Sequence, residues 1–455
     1  MIKRTLAEVT KMVEGENIIE GAESIAIQGV TIDSRKIEKG NLFIPFKGEK
    51  TDGHQYVEDA IKRGAAAAFW QKDVPDAPKH LPLIYVEDTL KGIQRLAKRY
   101  RNELAVKVVG ITGSNGKTST KDITANLLSL KYKVQKTEGN YNNHLGLPLT
   151  VLRLEEDTDI AVLEMGMSGR GEIDFLTRLA EPDVVVITNI GESHLLDLGS
   201  REGIAEAKLE IVHGLKSGGR FIYFGDEPLL SERAALAKNA DIKTFGKNAR
   251  NDLYPNSIVQ KENGSIFTIN GLNKPFELPV LGDHNILNAL AAMLVADYFH
   301  IPFAEMDRGF KNLSLTNMRM ELVEGKAGVH IINDAYNASP TSMLAAINVL
   351  KSLPGFDRKI MVFGDMLELG PDEERYHYEV GESVPQEIDY VFTYGKLGLL
   401  IAEGAKTVIP EHHVFSFTDK QELIEVLKEK VNQKTVVLVK ASRGMRLEEV
   451  VQALQ

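Results

Sequence analysis

The sequence predicts an α/β protein of three domains, and three observations carry that expectation. The chain has 455 residues, and domains run to roughly 150 residues each. Two long stretches, 106–313 and 329–454, alternate short apolar runs with helical spacing, the pattern of parallel strands joined by crossover helices. A glycine-rich turn follows the first of these runs and opens directly into a helix. The expected domains are a small N-terminal α/β domain over 1–103, a central parallel-sheet domain over 104–314, and a Rossmann-like domain over 315–455.

In the first region, 25–30, 42–46, 66–70 and 83–86 read as strands, and 56–63 and 90–100 as helices. The polar run from Arg99 to Glu103 reads as a connection. In the second, 106–112, 160–165, 184–189 and 221–224 are short apolar runs of the buried parallel type. Helices are expected at 117–130, 200–215, 286–298 and 303–313. Asn263-Gly264 and Asn270-Gly271 are hairpin signals, so 260–278 should form a small antiparallel insertion. In the third, strands at 329–333, 360–364, 390–394 and 435–439 alternate with helices at 341–353, 372–383, 420–431 and 447–454. No GxGxxG occurs there, so a dinucleotide site is not supported.

Composition excludes several classes. Lys and Arg number 54 against 64 Asp and Glu, a net charge of −10, and no Lys/Arg-rich run exists, which argues against nucleic acid as the main partner. Cysteine is absent, which removes disulfides, thiolate zinc sites and cysteine nucleophiles and suits a reducing compartment. No apolar run reaches 18 residues, and residues 1–15 turn polar early without a signal-peptide core. A cytoplasmic protein without membrane insertion is expected.

The sharpest motif is the loop bearing Gly110, Gly113 and Gly116, followed by Lys117, Thr118 and Ser119. Glycines let backbone N–H groups wrap phosphates, and the helix start adds partial positive charge. Lys117 can reach the outer phosphates and Thr118 can offer a hydroxyl to Mg²⁺. The common GxxxxGK[ST] spacing would put glycine at position 111, where Ile111 stands, so the loop is a variant. Glu164 ends an apolar run and can act as a metal anchor or be a plain strand-end charge. His194, after the run 184–189, can be a ligand or a capping residue. Lys208 otherwise reads as a solvated helix lysine paired with Glu206 or Glu210. Asp334 and Asp365 also follow apolar runs, at the sheet edge where α/β proteins bind ligands.

The order of these motifs resembles the Mur ligases, ATP-dependent amide-forming enzymes of peptidoglycan precursor synthesis. The resemblance rests on the glycine loop, Glu164, His194, Lys208, the segment from Asp283 through Asn285 and Asn288, Arg319, and Asp334-Ala335-Tyr336-Asn337. The variant loop spacing is that family's form. Within the family, the segments 139–150, 333–340 and 363–370 match the member that adds a dipeptide; the strings His-Thr-Pro-Asp and Asp-Asn-Pro-Arg, expected of the preceding ligase, are absent. The resemblance covers essentially the whole chain, including Asp33-Ser34-Arg35 and Asp52-Gly53-His54.

The resemblance implies a reaction that joins UDP-N-acetylmuramoyl-tripeptide to D-alanyl-D-alanine through an acyl phosphate, with ATP giving ADP and phosphate. It implies that Gly113, Ser114, Asn115, Gly116, Lys117, Thr118 and Ser119 cradle ATP, with Asn285 and Asn288 on the adenine side and Arg319 reaching the γ-phosphate. Two Mg²⁺ ions are implied: Thr118 and Glu164 toward the first, His194 and a carbamylated Lys208 toward the second. Asp334 would position ATP or the incoming amine, while Tyr336 and Asn337 would line the dipeptide pocket unless they form only a strand-end turn. Ser34 and Arg35 would contact the UDP-sugar in the first domain, although Asp33 and Ser34 can equally cap a turn. Asn142 and Asn143 would meet the sugar–peptide. A monomer is expected. The alternatives are another member of the wider superfamily, such as a folylpolyglutamate synthase, and a nucleotide switch that ligates nothing.

Overall fold

The computed structural model describes residues 1–455 except 18, 20, 49, 50, 312 and 314. Its N-terminal part pairs Lys3–Thr5 with Ala26–Gln28 antiparallel, beside a parallel sheet ordered Val30–Thr31, Leu42–Phe43, Ala67–Gln71, Leu83–Val86. The single strand expected over 25–30 is thus two strands in different sheets, separated by Gly29 at φ +72°. The helix Leu6–Val13, not foreseen, starts at a capping box in which Thr5 and Glu8 satisfy each other's backbone N–H groups.

The helix Thr89–Glu103 corrects the expectation of a polar connection at 99–103. Tyr100 is fully buried and its hydroxyl donates to the Leu154 carbonyl at 2.8 Å, while the Arg101 guanidinium donates to the Ala180 carbonyl at 2.6 Å. Polar composition misled here because both side chains bury their length and spend their polar tips on backbone carbonyls of the central region. One apolar cluster therefore runs without a break from Ile2 through Leu96 to Leu147, Leu176 and Ile204.

The central sheet has six parallel strands in the order Asp241–Phe245, Arg220–Phe224, Val184–Ile187, Lys107–Thr112, Ile160–Glu164, Val134–Lys136. Its inner strands are apolar on both faces because both faces are covered. Lys117–Leu128 and Asp283–Tyr298 cover one; Thr89–Glu103, Gly146–Leu152 and Glu172–Ala180 cover the other. The expected insertion is a three-stranded antiparallel meander, Pro255–Lys261, Gly264–Ile269 and Leu272–Leu278. The helix expected over 200–215 is Arg201–Leu209 continued as a 3-10 turn, Glu210–Gly214. That expected over 303–313 includes residue 312, outside the described residues; the remainder forms the short turns Phe303–Glu305 and Asp307–Phe310.

The third sheet is ordered Glu321–Glu324, His330–Asp334, Thr435–Lys440, Arg358–Gly364, Tyr390–Tyr394, Val414–Phe417, parallel except for its first strand. Pro340–Ser352, Glu373–Glu382 and Gly398–Lys406 cover one face, Lys420–Lys430 and Glu448–Leu454 the other. The carboxyl ends of the central and third sheets meet across one cleft: Asn115 bonds Ser339, and Thr341 donates to Glu192 at 2.7 Å. No helix of the described residues is long and apolar enough to cross a membrane.

Candidate active site

The strand Lys107–Thr112 ends in the loop Gly113–Gly116, and Lys117–Leu128 begins at once. Two glycines are required there. Gly113 has φ +148° and lies so close to Thr188 that a Cβ would collide with its side chain; Gly116 has φ +80°, and a Cβ would sit 2.5 Å from Asn288 Oδ1. The loop is braced by Ser114 N–H to the Asn189 carbonyl (3.1 Å) and Asn115 N–H to Asn189 Oδ1 (2.9 Å). Lys117 folds over it, donating to the carbonyls of Gly113 (2.7 Å) and Ser114 (3.3 Å). Burial lowers the Lys117 pKa, Glu164 opposes that, and Arg319 adds to it. A phosphate bound there would relieve a cation that, among the described residues, contacts no carboxylate.

Thr118 Oγ1 donates to Glu164 Oε2 at 2.9 Å, and Asn142 Nδ2 donates to Glu164 Oε1 at 2.8 Å. The carboxylate is thereby held between the start of the helix, on Oε2, and the loop that carries Asn142, on Oε1. From the third domain, an Arg319 amino group reaches Thr118 Oγ1 at 3.4 Å while its guanidinium lies over the Tyr336 ring at 4.2 Å. Arg319 is flanked by Met318 at φ +62° and Met320 at φ +50°, left-handed conformations that cost non-glycine residues of order 1–3 kcal/mol each. Its buried Nε has no hydrogen-bond partner among the described residues. Strain and an unsatisfied donor held together in a cleft are features of a site built for a ligand rather than for stability.

Lys208 is buried, which corrects its surface alternative: Glu206 pairs with Arg170 (2.9 Å), and Glu210 accepts from the Gly171 and Asp174 N–H groups. Among the described residues Lys208 has no ion pair, and burial, aided by Lys117, pushes its pKa well below 10.5. Burial therefore favours the uncharged amine, the form that is a nucleophile able to take up CO₂. His194, at φ +65°, has its Nδ1 3.2 Å from Glu368 Oε2 but without hydrogen-bond alignment. Burial lowers its pKa first, then Lys117 and Lys208. A neutral imidazole with a free nitrogen suits a metal.

Asn285, Asn288, Asp334 and Asn337 line one cavity of about 360 Å³ with Asn115 and Gly116. Asn285 donates to the Leu281 carbonyl and accepts from Asn288 at 3.0 Å, so the pair is oriented within its helix. Asp334 accepts from the Met320 N–H at 3.2 Å and from Lys440 Nζ at 2.6 Å; Lys440 also donates to the Asn337 carbonyl at 2.9 Å. Lys440 was not foreseen, although it ends an apolar strand just as Glu164 does. His284, inside the segment Asp283–Asn288 but given no role, and the Arg201–Glu227 pair (2.6 Å), which carried no sequence signal, also line the cavity.

Other expected residues lie elsewhere or act locally. Asp33 caps the turn Ser34–Lys36 and pairs with Arg35 at 2.9 Å, remote in the fold from the cavity lining. Asn143 accepts from the Leu145 and Gly146 N–H groups, opening the helix Gly146–Leu152. Asp365 accepts from the Gly398 N–H at 2.7 Å, so this strand-end carboxylate serves the start of a helix. His54 is held between Asp52 (2.6 Å) and the Gln71 N–H (3.1 Å), a structural arrangement.

The described residues hold no group of three or more His, Asp or Glu able to cage a metal alone. The donors present fit Mg²⁺ nonetheless. That ion commonly takes one or two protein oxygens and completes its shell with phosphate and water, and Thr118 with Glu164 supplies such a pair.

Family models match most of the chain: "Mur ligase family, catalytic domain" over 26–101, "Mur ligase middle domain" over 111–296 and "Mur ligase, glutamate ligase domain" over 318–443. The chain is 52% identical over 455 residues to the UDP-N-acetylmuramoyl-tripeptide–D-alanyl-D-alanine ligase of Bacillus subtilis, covering 100% of this chain and 99% of that one. A crystal structure of MurF from Acinetobacter baumannii superposes with a TM-score of 0.90 at 28% identity, covering 100% and 99%. The MurF ligase of Thermotoga maritima in complex with ADP does so at 0.83 and 30%, covering 94% and 97%. This α/β chain, with its P-loop between facing sheets, belongs to the Mur ligase family.

Proposed function

We propose that this protein is the ATP-dependent ligase that joins UDP-N-acetylmuramoyl-tripeptide to D-alanyl-D-alanine in cytoplasmic peptidoglycan precursor synthesis, acting as a monomer. The observation that carries the reading is Arg319 of the third domain on Thr118 of the P-loop, beside Glu164. The names of the full-length relatives supply the substrates.

The division of labour follows residues 1–103 for the UDP-sugar, 104–314 for ATP and 315–455 for the dipeptide. Ser34 and Arg35 contact the nucleotide-sugar, Asn142 and Asn143 the sugar–peptide, Asn285 and Asn288 the adenine side. The tripeptide carboxylate attacks the γ-phosphorus, ADP leaves, and an acyl phosphate forms; the dipeptide amine then attacks the acyl carbon and phosphate departs. A carboxylate alone is a poor acyl donor, and phosphorylation provides the leaving group. Lys117 and Arg319 offset charge on the phosphoryl oxygens in a water-poor cleft, where such contacts are strongest. Asp334, held by Lys440, orients the third-domain side, and Tyr336 and Asn337 border the dipeptide. Thr118 and Glu164 would hold one Mg²⁺, His194 and a carbamylated Lys208 a second; bound there, the ions would neutralise phosphate charge.

The test is product mass analysis with ATP, D-alanyl-D-alanine and UDP-tripeptide bearing either lysine or diaminopimelate. Ligated pentapeptide and stoichiometric phosphate, formed only when all three substrates are present, are expected. Phosphate release that needs no dipeptide would overturn the reading in favour of a nucleotide switch.

A further inference from the structure

The segment that carries Arg319 between the two domains is pinned at both ends. On the central side, Asp122 accepts from both donors of Thr316, the backbone N–H and the hydroxyl, each at 2.8 Å. On the third-domain side, the Met318 N–H donates to Glu321 at 2.9 Å and the Met320 N–H to Asp334 at 3.2 Å. Asp122 is fully buried and balanced by Lys136 Nζ at 2.5 Å and Lys121 Nζ at 3.4 Å. A buried carboxylate is tolerated only when paired and hydrogen-bonded. Two lysines already supply the charge, so the Thr316 bonds are additional to what burial requires.

The position of the clamp is informative. Asp122 follows Thr118 by four residues on the helix Lys117–Leu128, so both side chains lie on one face, about 6 Å apart along the axis. Thr316 precedes Arg319 by three residues, a reach of at most ~11 Å. Anchoring position 316 to the same helix face that holds Thr118 confines Arg319 to the neighbourhood of the phosphate loop. Rotation of the third domain must then be absorbed between Thr316 and Met320, where Met318 and Met320 already adopt left-handed conformations.

We propose that Asp122 and Thr316 form a pivot clamp that positions Arg319 on the P-loop, making both of them positioning residues for the ligation. The proposal rests on the reading of Arg319 given above. Asp122→Ala would strand the buried Lys121 and unpair the partly exposed Lys136, so the test is made at Thr316. Thr316→Val keeps the shape and the backbone bond but loses the hydroxyl donor; Thr316→Ser keeps the donor. Turnover should fall roughly ten-fold in Thr316→Val, as small misplacements of a catalytic group do. The KM for ATP and the melting temperature should stay near wild type, and Thr316→Ser should restore the rate. In an Arg319→Ala background, Thr316→Val should cause no further loss, since residues acting through one another are non-additive. Turnover of Thr316→Val within two-fold of wild type, or the same loss in both backgrounds, would overturn the clamp while leaving Arg319 in its role. Wild-type turnover in Arg319→Ala would overturn the Arg319 reading and the clamp together.

Discussion

Lys440→Met isolates one buried charge pair. Lys440 and Asp334 are 3% and 8% exposed, and Nζ stands 2.6 Å from Oδ2. Methionine keeps the apolar stem, so little volume is lost, but among the described residues the Asp334 carboxylate keeps only the Met320 N–H at 3.2 Å. The Asn337 carbonyl loses its Lys440 donor as well. Removing one partner of a buried pair costs roughly 3–5 kcal/mol, because the other charge stays uncompensated. At about 2–4 °C per kcal/mol for a unit of 150–250 residues, the melting temperature should fall by roughly 6–20 °C. Asp334→Asn removes the stranded charge while keeping an acceptor for Met320, so the double variant Asp334→Asn/Lys440→Met should recover most of the loss. The assay is urea and thermal unfolding of wild type, both single variants and the double, read as a double-mutant cycle. Lys440→Met within about 1 kcal/mol of wild type, or a double variant as unstable as the sum of the singles, would refute the reasoning.

Lys117→Ala should leave circular dichroism and melting unchanged but lower ligation ~10²-fold or more; more than a tenth of the wild-type rate would remove Lys117 from phosphate handling. Gly116→Ala places a Cβ against Asn288 at φ +80°, so ATP affinity should drop at least roughly ten-fold by calorimetry, as a displaced site loses its fit. Lys208 has a folded-state pKa below its unfolded value of 10.5, so the unfolded chain binds the extra proton and stability rises with pH. Without nucleotide and in carbon dioxide-free buffer, Lys208→Met should therefore gain on wild type by about 1.4 kcal/mol for each pH unit below 10.5, levelling off once the folded pKa is passed. No gain at pH 7 in urea titrations would contradict the burial argument. Separately, Lys208→Ala should be inactive and partly rescued by acetate; full activity would dispose of the carbamate.

What the amino-acid order determined by itself is what depends on neighbours a few residues apart. Apolar runs such as 106–112 and 184–189 read as candidate buried parallel strands, and the glycines at 113 and 116, followed by Lys117 and Thr118, read as a phosphate loop without any tertiary knowledge. Asn270-Gly271 likewise marked its turn in advance. The same local rules failed where local polarity and final environment disagree. Arg99–Glu103 is polar yet helical and packed, and Lys208 sits on a helix with flanking glutamates yet is buried away from both. The contacts that make the cleft span far greater separations: Arg319 and Thr118 are 201 residues apart, Lys440 and Asp334 are 106, Thr316 and Asp122 are 194. No periodicity encodes such pairs. Lys440 meets Asp334 because Thr435–Lys440 pairs with His330–Asp334 within one sheet, while the other two pairs join the central and third domains, whose packing depends on the whole apolar surface each sheet must bury. Sequence spacing named the groups able to handle phosphate; only the packing of the domains decided which cation faces which oxygen.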